Sequence, residues 1–208
     1  MNRREAAKLE TRQLILVAAR NLFRSQGAMG CTMREIAREA GVSPASVVVH
    51  FKSKVALMEA ALFEDIERTL DDAMLSLPPE ADMAASILHI WAAMFRFYDG
   101  NRDLYRLLIS STAYQPDEAS PCIARQMDRF LEFLQGMIAG EKRSGNLRPD
   151  VDAGIAAYNF CALYFFVLIG FFRDPGLSPQ RAIKTLGAMV RQYLQGILSG
   201  ERRHVRHP

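Results

Sequence analysis

"GVSPASVVVHF", residues 41–51, is the stretch on which the fold turns. Three consecutive valines and the following His-Phe have the β-branched and aromatic character of a strand. Ser43-Pro44 points the other way. Serine caps the free N–H groups of a first helical turn, and proline costs nothing at the first helical position. A strand also needs a partner, and no neighbouring segment offers one. Helix prevails, because the helical penalty of a valine is only about 0.5 kcal/mol.

The flanking residues extend this reading. In "TMREIAREAGVSPASVVVHFKSK", residues 32–54, Thr32 and Glu35 have the spacing of a capping box, which starts a helix. Ile36, Ala37 and Ala40 give that helix an inner face. Gly41 ends it in the left-handed conformation, and Val42 fills the gap before the next helix. There Val47 and Phe51, four apart, share the inner face, so Ala45, Ser46, Val48 and Val49 look outward. Two helices joined by a three-residue glycine turn make a helix-turn-helix. Nothing bulky projects from the outward face, which suits it to the major groove of DNA. The helix N-terminus also presents N–H groups to phosphate oxygens. The alternative is a helical hairpin buried in a core.

Charge bears on that choice. Residues 1–54 hold ten Lys/Arg and four acids, a net +6, whereas the whole chain is +3, so the remainder is −3. A basic head on a slightly acidic body points toward a polyanion, most often nucleic acid; a solvated basic surface is the plainer reading. The three cysteines, Cys31, Cys122 and Cys161, are odd in number and far apart, and read as reduced thiols of a cytoplasmic protein. The N-terminal "MNRREAAKLETRQ" has no signal-peptide character. No G-x-S-x-G, P-loop, H-E-x-x-H or dinucleotide fingerprint occurs, so no enzyme activity, cofactor or metal is expected.

The other segments have helical periodicity, over about 5–25, 54–76, 82–98, 101–112, 121–143, 151–172 and 179–199. Together with the helix-turn-helix this is an all-α chain of about nine helices. In the first, Leu14, Val17, Ala18, Leu22 and Phe23 are expected to form one buried stripe, and Gly27 stops it. Ser120-Pro121 and Ser178-Pro179 repeat the Ser-Pro helix start, and Asp150 in "GNLRPDVD" is placed to cap the next helix.

The chain now resembles a known family. "T-R-x-x-I-L-x-A-A-x-x-L-F" (11–23), "T-M-R-E-I-A-x-x-A-G-V-S" (32–43) and "H-F-K-S-K-x-x-L" (50–57) are similar to the DNA-binding domain of the TetR family of one-component transcriptional regulators. The resemblance implies an N-terminal three-helix DNA-binding domain at 9–69 and a ligand-binding and dimerisation domain at 70–208. It implies that Thr32 and the backbone near Met33 hold phosphate and that Arg34 reaches a base or a phosphate. Pro44, Ala45 and Ser46 would face base edges, Val48, Val49 and His50 would lie along the opposite backbone, Lys54 would clamp a phosphate, and Ser43 is also counted among the DNA-binding residues. Val48 departs from the family, which commonly has a phosphate-donating tyrosine there; a valine can touch a thymine methyl instead.

The body is rich in large apolar residues. Trp91, Met94, Phe95, Tyr98, Tyr105, Met127, Phe130 and Tyr164 either form a core or line a cavity for a small hydrophobic or amphipathic effector. Arg96, Arg102, Arg106 and His89 either meet an acidic group on that effector or pair with Asp99 and Asp103. Residues 153–172 carry no charge, long enough to cross a bilayer, yet a helix apolar all round also suits burial against a partner. The resemblance favours burial in a homodimer through 151–172 and 179–199, with Leu186, Met189, Val190, Tyr193, Leu194 and Ile197 as the matching stripe. The expected protein is a ligand-released repressor on a palindromic operator. An activator is the alternative; a membrane-associated helical protein or a small-molecule enzyme is more remote.

Overall fold

The computed structural model describes residues 2–116 and 121–198. Ser120 and the basic segment 201–208 lie outside them. Among the described residues there are nine helices: α1 (Arg3–Gly30), α2 (Met33–Glu39), α3 (Pro44–His50), α4 (Lys54–Leu75), α5 (Met83–Asp99), α6 (Arg102–Thr112), α7 (Pro121–Arg143), α8 (Ala153–Arg173) and α9 (Pro179–Ile197). No strand occurs among them, only an isolated antiparallel bridge between Leu147 and Leu198. The chain forms two compact units, Met1–Thr69 with Phe97–Gln126, and Leu70–Arg96 with Met127–Pro208.

In the first unit, α1 is broken at Gly27, whose φ of 73° and ψ of 159° fall where only glycine is at ease. Ile15, Leu16, Ala18, Ala19 and Phe23 are buried, but Leu14 and Val17 are not. The expected stripe is thus rotated. Leu14 and Val17 instead border an open groove of about 280 Å³ with Glu10 and Glu39. Every position from 14 to 19 is apolar, so spacing alone does not select the inward face.

Ion pairs fix α1 to α4. Arg20 donates to the Ala61 carbonyl at 2.8 Å and to Glu64 at 2.6 Å, and Arg24 donates to the buried Asp65 at 2.7 Å. Tyr105 of α6 is buried beside this pair. Burial first, with the negative charge of Asp65 adding and Arg24 opposing, pushes its hydroxyl up to about 12. Glu59 of α4 is also buried, and its Oε1 accepts from the backbone N–H groups of Cys122 and Ile123, each at 3.1 Å. These belong to the first turn of α7, whose orphan donors a distant carboxylate thereby satisfies.

In the second unit, Asp152 and not Asp150 caps α8, accepting from the Ile155 N–H at 2.8 Å. Asp150 instead pairs with Arg148 at 3.2 Å. Ser178 caps α9 and Pro179 takes its first position. Helices α8 and α9 pack through Phe160 and Tyr193, edge to face at 5.1 Å, and the Asn159 amide donates to the Tyr193 hydroxyl at 3.1 Å. Of the α9 stripe, Leu186, Val190, Leu194 and Ile197 are buried within the chain itself, while Met189 and Tyr193 are half-buried. Helix α8 keeps an outer apolar face of Ile155, Tyr158, Phe166 and Ile169, each more than half exposed.

Candidate nucleic-acid interface

The question posed by residues 41–51 has a helical answer. Ser43 accepts from the Ser46 N–H at 3.1 Å, Pro44 opens α3, and Phe51 closes it by donating its N–H to the Val47 carbonyl at 2.8 Å. The hydroxyls of Ser43 and Ser46 lie 3.0 Å apart in a further hydrogen bond. Before it, Thr32 and Glu35 form the reciprocal capping box of α2, with the Thr32 N–H donating to Glu35 at 2.7 Å and the Glu35 N–H donating to the Thr32 hydroxyl at 3.2 Å. The Thr32 backbone N–H and then its hydroxyl hold the Glu35 carboxyl below its ordinary range. Gly41 has a φ of 67° and makes the turn.

Burial divides α3 into two faces. Val47 and Phe51 are sealed inside, at 0% and 4% exposure, while Val48 and Val49 stand 57% and 76% exposed. Ser43, Pro44 and Ala45 are exposed; Ser46 and His50 are half-buried. On α2 and its cap, Thr32 and Arg34 are exposed and Met33 is half-buried. Two adjacent exposed valines thus give the outer face of this seven-residue helix an apolar, unhindered surface.

Two contacts were not legible beforehand. The ammonium of Lys54 donates to the Cys31 carbonyl, which ties the start of α4 to the segment just before α2. An ammonium has three donors, so this bond orients Lys54 and leaves two donors for a phosphate. The guanidinium of Arg12 sits 5.0 Å from the centre of the Phe51 ring, bracing the end of α3 from α1. Both bonds span more than twenty residues, and no local motif encodes them.

The candidate effector residues fall into two groups. Tyr98 and Tyr105 pack with Phe97 in the first unit, at ring separations of 5.5 Å and 4.6 Å from Tyr105. Trp91, Met94, Phe95, Phe130 and Tyr164 are buried in the second, with Met127 half-buried. Trp91 stacks on Tyr164 at 5.2 Å and approaches Phe130 at 6.5 Å. Arg102 pairs with Asp99 and Arg106 with Asp103, the latter at 3.1 Å, while His89 hydrogen-bonds Ser76 at 3.1 Å and Arg96 is exposed.

A capped helix-turn-helix with its small face outward defines a DNA-binding protein of the regulator class. Residues 15–61 match the family described as bacterial regulatory proteins, tetR family. The uncharacterized HTH-type transcriptional regulator TtgW of Pseudomonas putida is 43% identical over 142 residues, 65% of this chain and all of that protein. The HTH-type transcriptional repressor BepR of Brucella suis is 28% identical over 172 residues, 78% of this chain and 81% of that protein. In fold, the chain is similar to a transcriptional regulator from Saccharomonospora viridis solved with choline, at TM-score 0.66 and 21% identity, covering 93% of this chain and 99% of that one. The chain belongs to the TetR family of transcriptional regulators, a family of regulators rather than of enzymes.

Proposed function

We propose that this regulator is a cytoplasmic homodimeric repressor that holds a palindromic operator and leaves it when a small hydrophobic or amphipathic effector binds the second unit. The single observation that carries the reading is the division of α3, with Val47 and Phe51 buried and Ala45, Val48 and Val49 presented outward. In this reading Pro44, Ala45 and Ser46 face the base edges of the major groove with Ser43 at their start, Val48, Val49 and His50 lie along the opposite backbone, and Thr32, Met33, Arg34 and Lys54 position the head on phosphates. Two such heads would occupy half-sites one helical turn apart. Repression is supported by the naming of BepR as a repressor.

The outer face of α8 supports the dimer. Ile155, Tyr158, Phe166 and Ile169 recur at helical spacing and stay in water in the single chain. Burying them against a second copy stabilises by roughly 1–2 kcal/mol each. The same helix is 21 residues long and holds an 18-residue window of mean hydropathy 2.0, so by length and composition it could also span a membrane. Against that reading, its opposite face already packs on α9 through Phe160, and Asn159 donates to Tyr193. Trp91, Met94, Phe95, Met127, Phe130 and Tyr164 are the proposed effector residues in the second unit. An effector acts by binding one conformation better than another. Helix α4 runs unbroken from Lys54 to Leu75, from the first unit into the second, and so can carry such a change.

Selection of bound fragments from a random DNA pool tests the proposal. The expected result is an enriched inverted repeat, together with a dimer in detergent-free sedimentation. A motif without symmetry, or a chain that stays monomeric when bound, would overturn it.

A further inference from the structure

The second unit holds a polar atom that its own packing does not explain. Trp91 is 1% exposed, and among the described residues its indole Nε1–H meets no acceptor. Indole is a donor only, and buried tryptophans normally sit where that donor finds a partner. Phenylalanine would fill much of the same apolar space without stranding a donor. The surroundings are aromatic: Tyr164 lies nearly parallel at 5.2 Å, Phe130 is tilted at 6.5 Å, and Phe95 bridges Tyr164 and Phe171 edge to face. Among the described residues, the buried charged side chains are Glu59 and Asp65, and both belong to the first unit. Burial also pushes the Cys161 thiol up to about 11, so it is neutral at physiological pH. Among the described residues this interior therefore holds one buried donor without a partner, flat ring faces and no buried charge to balance an ion. A charged ligand would be desolvated here without compensation.

We propose that the effector is a neutral, flat, largely apolar molecule with one oxygen acceptor, and that Trp91 Nε1 donates to that oxygen when the molecule settles among Trp91, Phe130 and Tyr164. The inference rests on the reading of the second unit as the effector-binding body. It goes further in naming the donor, and with it the feature that separates ligands from plain hydrocarbons of the same shape. A site built around a hydrogen bond rejects the analogue that lacks it, because the donor stays stranded.

The test uses 1-tetralone and tetralin, bicyclic probes of nearly equal shape that differ by one carbonyl. The chain has a single tryptophan, so one indole N–H resonance in a ¹⁵N-labelled full-length sample reports the site. The expected result is calorimetric binding of the ketone about tenfold tighter than the hydrocarbon, as a bond made by an otherwise stranded donor supplies. The indole proton should move downfield with the ketone only. In Trp91→Phe the two affinities should converge. Should that variant fail to fold, the resonance shift and the affinity ratio in the natural protein decide alone. Equal affinities, or a preference that survives in Trp91→Phe, overturn the proposal and leave the second unit as an effector site. Binding of neither probe, with the indole resonance unmoved, overturns both.

Discussion

Replacing Lys54 tests the docking of the head most directly. Its ammonium donates to the Cys31 carbonyl and has two further donors to offer a phosphate. One phosphate contact per head makes two per dimer. Each neutralised phosphate contributes about 0.9 to the slope of log affinity against log salt, so Lys54→Ala and Lys54→Gln should both lower that slope by about 1.8. Counterion release alone then predicts an affinity loss of about 30-fold at 0.15 M salt and about 200-fold at 0.05 M. Operator binding followed by fluorescence anisotropy across that salt range measures it. The bond to Cys31 adds a second effect: alanine leaves the carbonyl unpaired, at about 1–3 kcal/mol of stability, whereas glutamine keeps a donor. The two variants should therefore separate in thermal denaturation and coincide in salt slope. A slope unchanged in both, or a loss of binding that follows melting temperature instead of charge, would refute the placement of Lys54 on the DNA backbone.

Three further outcomes are expected. Val48→Tyr puts a phenolic donor at an exposed position of α3, and one added phosphate bond per head, at roughly 1 kcal/mol each, should tighten binding of the dimer about thirtyfold for every sequence; a loss confined to thymine-containing sites would show instead that Val48 reads a base. Phe166→Glu places a charge in the outer face of α8 and should give monomers in sedimentation with helicity retained; persistence of the dimer would move the interface elsewhere. Tyr105 ionises near 10 when unfolded and at about 12 in the fold, so its contribution to stability is intact below pH 10 and is lost as pH rises through 12. That loss approaches ~3 kcal/mol, and urea denaturation across this range should show it vanish in Tyr105→Phe.

The legible part of the molecule was the part written in neighbouring residues. Thr32 with Glu35, Gly41, and Ser43 with Pro44 each act within one helical turn, and each does in the structure what its chemistry requires. The two faces of α3 followed, because Val47 and Phe51 are four apart. What was misread had degenerate local signals. Positions 14–19 are apolar on every side, so the inward face of α1 depends on which partners arrive. Asp150 and Asp152 are equally able caps two residues apart, and the backbone leaving Val151 selects the second. Glu59 could not have been read at all, since the donors it serves lie 63 and 64 residues away. For the same reason the membership of residues 97–126 in the first unit has no mark in their own sequence.

Glu59 has a mechanical consequence for the helix that bears it. Its carboxylate accepts from two amides of α7, so any slide of α4 along its axis would strand both donors. That grip joins the bonds of Arg20 to Ala61 and of Arg24 to Asp65 in locking the register of α4 within the first unit.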